Sequence, residues 1–332
     1  MFEVVAQGEG PLFMDPDADK AREFFRGKKR ALVNKVMSVK AAVERYVHDG
    51  DYLGIGGFGA NRIPTAVCHE IVRQRKKNLA FAGHTATHDF QILAAGEVFN
   101  RCDIAYIIGL EARGLSPNAR RYMESGKVQY CEWTNYGIAI RLKAAAMGVS
   151  FLPGRSLLGT DTFKYSAAKA AKCPFTGQMY CLFPALFPDV AAIHVHGADV
   201  YGNVRVKGIS VADFELVRAA KHVIVTCERL IRNEEIRNDP TSTYIPYYLV
   251  DAVCEVPYGS YPGNMAYEYF SDEEHLKLWM ETEKDPAQFK KFLDKYIYGT
   301  KDFDEYLELC GGIKRINELR AQENLIELET RC

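Results

Sequence analysis

The sequence predicts an α/β protein built on a mostly parallel sheet, and three observations carry that prediction. Short β-branched or apolar runs alternate with longer stretches of helical periodicity, as parallel strands joined by crossover helices require. The stretch "DYLGIGGFGANRIPTAV" (51–67) runs from strand-like residues through Gly56, Gly57 and Gly59 into a helix start marked by a proline. The expected loops after successive strands carry Gly, His, Glu or Asn, and that edge of an open parallel sheet is where ligands bind.

Residues 1–37 read as an N-terminal extension. Pro, Gly and Asp break its first half, and "DADKAREFFRGKKR" is compatible with one short charged helix. Regular organisation begins at Ser38, a good N-cap. Val39, Ala42, Val43, Tyr46 and Val47 follow at helical spacing, and Gly50 supplies a stop. "YLGIGGF" then reads as a strand before the helix "IPTAVCHEIVRQRKK". The strands "NLAFAG", "IAYIIGL" and "VQYCEWT" precede the helical segments "DFQILAAGE", "SPNARRYMESGK" and "YGIAIRLKAAAMG".

After Pro153 the pattern changes. "VAAIHVHGADVYGNVRVKG" reads as two strands around a Gly202-Asn203 turn, and "AAKHVIVTCERL" as another strand. Beyond Gly263 the text becomes aromatic and charged, with spacing that suggests helices wrapping the core or meeting a partner. The division is thus 1–37 extension, 38–262 α/β domain and 263–332 helical C-terminal extension.

Composition narrows the function classes. The chain has 332 residues, 48% hydrophobic and 26% charged, with a formal net charge of −1, so nothing points to a general nucleic-acid or membrane-surface binder. Nine cysteines without CxxC spacing read as reduced, mostly packed thiols. The N-terminus lacks a secretory pattern and no apolar run approaches a membrane span, so a cytoplasmic location is expected.

Each candidate site has two readings. "GIGGFGANR" departs from the GxGxxG spacing and lacks the GK[ST] ending of a P-loop, so it is either a ligand-approaching turn or only a tight strand-to-helix connection. His84 and His88 are four apart, a helical metal-ligand spacing, yet Gly83 and the threonines favour a loop and therefore cleft-lining polar residues. His194 and His196 share one strand face and read as buried, hydrogen-bonded histidines, with one facing the cleft as the alternative. Glu111, just past a hydrophobic run, is either a base or nucleophile or a carboxylate paired with Arg113. There is no GxSxG elbow.

Five ordered segments carry a family resemblance. They are "SVKAAVERYVHDGDYLGIGGF", the "AAAMGVSFLPGRSLLGTD" region with "SGKVQYCEWTNYGIAIRLK" before it, "VAAIHVHGADVYGNVRVKG", "AAKHVIVTCERLIRNEEIRNDPTSTYIP" and "VDAVCEVPYGSYPG". Across roughly Ser38 to Gly263 the chain resembles the α (A) subunit of family I CoA-transferases, and most the glutaconate CoA-transferase branch. The resemblance implies a three-layer α/β/α fold of the CoA-transferase type and a β subunit of similar fold in an α2β2 or α4β4 assembly. It implies no permanent cofactor and no metal: the coenzyme A thioester is a substrate, alongside a small or dicarboxylic acid.

In that family a β-subunit glutamate in an "S-E-N-G"-like motif attacks the acyl-CoA thioester. This sequence contains no such motif, so the nucleophile is expected on the partner. The α part supplies a glutamine amide to the oxyanion hole, and Asn135 stands at that position here. Relatives with other chemistry, ring-opening hydrolases and decarboxylases, share the fold. The resemblance further implies that Gly56, Gly57, Phe58 and Gly59 shape the acyl-CoA cleft. Arg62 is expected either to pair with a substrate carboxylate or to be an exposed arginine.

Overall fold

The computed structural model describes residues 3–107 and 113–329. The chain opens with β1 (Val4–Gln7), α1 (Ala18–Gly27) and α2 (Val39–Tyr46). Alternation follows through β2 (Tyr52–Ile55), α3 (Thr65–Arg73), β3 (Leu79–Gly83), α4 (His88–Ala95), β4 (Phe99–Ile104), α5 (Pro117–Glu124), β5 (Gln129–Glu132) and α6 (Asn135–Met147). A second stretch holds β6 (Phe151–Gly154), α7 (Asp161–Lys164), β7 (Lys169–Lys172) and β8 (Met179–Pro184). Then come β9 (Val190–Ala198), β10 (Val204–Arg205), α8 (Asp213–Ala219), β11 (His222–Leu230), α9 (Asn233–Asn238) and β12 (Ala252–Glu255). Four helices close the chain: α10 (Glu273–Thr282), α11 (Pro286–Leu293), α12 (Phe303–Leu309) and α13 (Gly312–Glu329).

The main sheet runs β12-β11-β9-β2-β3-β4-β5, all parallel, with β10 folded back antiparallel on β9. All nine residues of β9 are buried, as expected of a central parallel strand covered on both faces. Alternate side chains serve two layers. Leu53, Phe81 and Ala192 join α2 to α5 and the C-terminal helices, whose Trp279, Phe292 and Tyr306 pack into the same core. Tyr52, Ala80 and Ile193 face α6, α8 and a small antiparallel sheet of order β1-β7-β8-β6. The architecture is therefore three-layered, with one outer layer part helix and part antiparallel sheet.

Local chemistry explains the element ends. Ser38 caps α2 by accepting from Ala41 N–H at 3.2 Å. Thr134 caps α6 by accepting from Gly137 N–H at 2.9 Å, and Gly148 ends it in the left-handed region at φ 71°. The helix expected in the extension is α1, capped by Asp17. β-Bridges join the extension to the rest of the fold: β1 pairs with β7, and Val36 bridges Val253 beside the main sheet.

Two segments depart from the sequence reading. The strand placed on "IAYIIGL" is instead β4, starting at Phe99, and residues 108–110 lie outside the described residues. Its polar residues hid it: Arg101 donates to the Gly50 and Asn78 carbonyls, and the Asp103 carboxylate is buried among Tyr52, Trp133 and Arg141. The small sheet between residues 151 and 184 was also unforeseen, because its strands are short and interrupted by Pro and Gly.

Candidate functional site

The glycine stretch forms the turn between β2 and α3, at the C-terminal edge of the sheet. Gly57 has φ 91° and Gly59 φ 60°, conformations open to glycine at little cost. A Cβ on Gly56 would lie 2.6 Å from both Asp213 Oδ1 and Ile193 Cγ2. The backbone N–H of Gly57 donates to Asp213 Oδ1 at 2.8 Å. The turn is thus pressed against the start of α8, and behind it lies a cavity of about 20 Å³ bordered by Gly56, Gly57, His84, Ile138 and Asp213. That volume admits one water-sized group.

Arg62 is fully buried, in the left-handed region at φ 60°, and its Nη2 meets Asp213 Oδ2 at 2.6 Å. It also donates to the carbonyl of Ile209 at 2.9 Å. Neither expectation for Arg62 describes this geometry: it is not an exposed arginine, and its charge is turned inward to Asp213 rather than toward a substrate carboxylate. One carboxylate thereby fixes both ends of the turn, Gly57 and Arg62. Asp213 carried no signal in the sequence, since it sits in "SVADF" without a recognisable motif.

Phe58, His84 and Asn135 come together at this edge. The Phe58 and His84 rings lie 6.3 Å apart, both half-buried. Burial pushes the His84 pKa down; its own backbone, the Asp213 charge and the backbone of Asn135 oppose that shift. The imidazole is therefore neutral near pH 7. Asn135 is the first residue of α6, and its Oδ1 is buried with no hydrogen-bond partner among the described residues. A buried amide oxygen left open is costly unless a donor reaches it.

The strand-to-helix junction that carries Asn135 is pinned from behind. Trp133 Nε1 donates to Asp103 Oδ1 at 2.7 Å, Tyr52 donates to the other carboxylate oxygen, and Arg141 of α6 pairs with it at 3.0 Å. Arg141 also stacks over Trp133, 4.2 Å from the ring centre.

His88 goes elsewhere. It opens α4, fully enclosed, with Nε2 3.0 Å from Thr65 Oγ1 and Nδ1 3.3 Å from Thr87 Oγ1. Burial, with Arg113 adding to it, lowers its pKa to about 3. The two histidines thus serve different compartments, and among the described residues no group of three or more His, Cys, Asp or Glu is arranged to hold a metal ion. Glu111 lies outside the described residues; Arg113 pairs with Glu273 through two bonds of 2.9 and 2.6 Å.

His194 and His196 are buried and hydrogen-bonded, in keeping with the first of their two readings. His194 bridges Thr226 Oγ1 at 2.8 Å and Glu228 Oε1 at 2.7 Å, and His196 meets the Ala266 carbonyl at 2.8 Å. Among the described residues no helix is long and apolar enough to cross a membrane.

Comparison with known proteins agrees with this geometry. The profile of the family described as Coenzyme A transferase matches residues 36–256. The A subunit of glutaconate CoA-transferase from Acidaminococcus fermentans is 33% identical over 307 residues, covering 86% of this chain and 94% of the relative. The crystal structure of glutaconate coenzyme A-transferase from that organism superposes with a TM-score of 0.82 at 32% identity, over 86% of this chain and 95% of the other. The A subunit of 3-oxoadipate CoA-transferase from Pseudomonas knackmussii is also 33% identical, covering 82% of this chain and 96% of the relative. A decarboxylase AibA/AibB variant superposes with a TM-score of 0.71 at 29% identity, over 79% and 97% of the two chains. The parallel sheet, the glycine turn at its C-terminal edge and these matches together place the chain in the coenzyme A transferase family, on the A side of its two-subunit enzymes.

Proposed function

We propose that this chain is the A half of a heteromeric enzyme that moves coenzyme A between an acyl-CoA and a small dicarboxylic acid of the glutaconate kind. The observation that carries the reading is Asn135. Its amide sits at the sheet edge beside Phe58 and His84, and its buried oxygen has no partner among the described residues. Attack on a thioester builds negative charge on the carbonyl oxygen, and a preorganised amide N–H there is worth roughly 3–4 kcal/mol. The Asn135 amide supplies that donor, while its oxygen accepts from a group arriving with the substrate or the partner. The glycine turn lets backbone approach the acyl-CoA closely, and Phe58 packs against the acid.

The nucleophile in this reading is a glutamate of the B subunit. It attacks the thioester carbonyl, expels the CoA thiolate and forms an acyl anhydride. The thiolate then attacks the glutamyl carbonyl, releasing the carboxylate product and leaving a glutamyl-CoA thioester. A second carboxylate reverses the two steps and leaves as acyl-CoA. His84, neutral near pH 7, adds no positive charge to compete with the partner's carboxylate.

A second reading, a lyase or hydrolase acting on CoA esters, draws on Asn135 having a stem one methylene shorter than the glutamine of transferases. The likeness to a decarboxylase fold keeps it in view. One experiment separates the two. The chain is co-expressed with its B-type partner and incubated with acyl-CoA and sodium borohydride, which reduces a glutamyl thioester. Transferase chemistry predicts irreversible inactivation that requires acyl-CoA, with a mass change on a partner glutamate. Activity that survives borohydride, with free acid formed in the absence of an acceptor, refutes transfer.

A further inference from the structure

A cleft of about 840 Å³ lies at the opposite edge of the main sheet from the glycine turn. One wall is the N-terminal strap from α1 to Met37, nearly all of it ahead of the residues matched by the family profile. The other is the N-terminal edge of the strands, where His222 starts β11, Asp251 immediately precedes β12 and Tyr46 ends α2.

Charge in this cleft is not closed. Lys28 Nζ meets Asp251 Oδ2 at 2.7 Å and donates to the carbonyls of Lys221 and Leu249, which uses all three of its donors. Asp251 also accepts from the Val223 N–H at 2.8 Å. Lys35 is only 9% exposed, yet its ammonium donates to the Tyr247 carbonyl at 2.6 Å, lies 5.5 Å from the centre of the Tyr247 ring, and pairs with no carboxylate among the described residues. Burial depresses its pKa; the more distant charges of Asp251 and Asp199 oppose that shift and Lys28 adds to it. A buried ammonium without a counter-charge is destabilising, and an anion relieves it.

Lys29 and Arg45 add two more cations at the rim, neither ion-paired among the described residues. Between them runs an aromatic wall. Phe24 meets the His222 ring edge-on at 5.6 Å, Tyr46 lies 5.3 Å from the same ring, and Arg45 covers Tyr46 at 5.2 Å. His222 Nδ1 is buried and without a hydrogen-bond partner among the described residues. Four cations, Lys28, Lys29, Lys35 and Arg45, outnumber the two lining carboxylates, Glu23 and Asp251, and aromatic rings beside that excess suit a molecule that joins an aromatic base to phosphate.

We propose that the cleft between the N-terminal strap and the N-terminal edge of the sheet binds an organic phosphate of the nucleotide class, its phosphates on Lys35, Lys29 and Arg45 and its base against Phe24, Tyr46 and His222. This site is separate from the acyl-CoA cleft and does not depend on which reaction that cleft performs.

The test uses the full chain in complex with its partner subunit. Calorimetric titration with ADP is expected to show saturable binding that acyl-CoA does not displace and that weakens at least tenfold in the Lys29→Glu, Arg45→Glu double variant. Pyrophosphate and adenosine, titrated alone, are each expected to bind at least tenfold more weakly than ADP. Pyrophosphate binding as tightly as ADP overturns the aromatic half of the proposal, and adenosine binding as tightly overturns the phosphate half. Absence of ADP binding, displacement by acyl-CoA, or an unaffected double variant overturns the whole. Should the double variant misfold, hydrogen exchange on the wild-type complex decides: ADP protects amides 28–36, and protection absent there refutes the site.

Discussion

At the C-terminal edge of the sheet, Arg62 meets Asp213 and Arg141 meets Asp103 as buried pairs closed in charge, with two guanidinium nitrogens of Arg141 left without hydrogen bonds among the described residues, and His194 is hydrogen-bonded to Glu228. At the N-terminal edge, Lys28 takes up Asp251 and Lys35 is left with a carbonyl. The first arrangement uses its charge to hold the backbone, so the groups it presents outward, Phe58, His84 and Asn135, are neutral. That suits chemistry in which negative charge develops only in the transition state, because a fixed cation would also stabilise the bound acid. The second arrangement leaves positive charge unpaired and suits binding of a ground-state anion.

The sharpest way to break the closed edge is to open one of its pairs. Asp213→Ala leaves Arg62 buried without a counter-charge and the Gly57 N–H without an acceptor. Stability is expected to fall by about 3–5 kcal/mol, measured by urea unfolding; a loss under about 1 kcal/mol would mean that the pair is not closed in solution.

Asn135→Ala tests the neutral face instead. Turnover is expected to drop on the order of 10²–10³-fold with little change in unfolding free energy, and Asn135→Gln to restore most of it. Turnover within threefold of wild type in the alanine variant would remove Asn135 from the oxyanion site.

Acid sensitivity sharpens the picture of buried neutral groups. His88 is lowered to about 3, and His196 and His275 to about 4, chiefly by burial. The unfolded chain takes up these protons near pH 6.5 while the folded protein refuses them, so stability is lost as pH falls from about 6.5 toward 4. Asp89, raised to about 6 by burial, acts in reverse, binding its proton in the folded state first and returning stability below that pH. Three imidazoles outweigh one carboxyl. Each histidine contributes a slope of up to about 1.4 kcal/mol per pH unit. Urea titrations at pH 7, 6 and 5 should show steadily lower stability, and a flat or rising trend contradicts the assignment.

The smallest effect belongs to an open pair. Glu273→Ala removes the partner of Arg113 on a half-exposed carboxylate, and only about 0.2–1 kcal/mol is expected. A cost comparable to that of Asp213→Ala would erase the distinction between closed and surface pairs.

The parallel sheet was legible because β-branched runs and glycine stops are local signals. Ser38 and the Gly202-Asn203 turn sit where their chemistry requires, whereas α2 ends at Tyr46 and Gly50 serves the turn beyond it. Asn135 was singled out only by resemblance to the family, since nothing in its local sequence announces a role. What stayed hidden is long-range satisfaction of charge. Arg62 read as a surface or substrate-facing cation because nothing near it in sequence announces Asp213, and β4 was masked by Arg101 and Asp103, whose partners lie more than twenty residues away in the sequence. Lys35 was unremarkable for the same reason: its burial arises only when the strap lies down beside β12.

That strap also dictates an order of assembly. β1 has its partners at Lys169, Ala170 and Ala171, and Val36 has its partner at Val253, so during synthesis this segment cannot dock until most of the chain after it has followed. Contacts this distant in sequence form late. A fusion at the N-terminus therefore acts on the final step of maturation, after the parallel sheet has closed, and its damage is expected at the small sheet and the strap cleft while the glycine turn is spared.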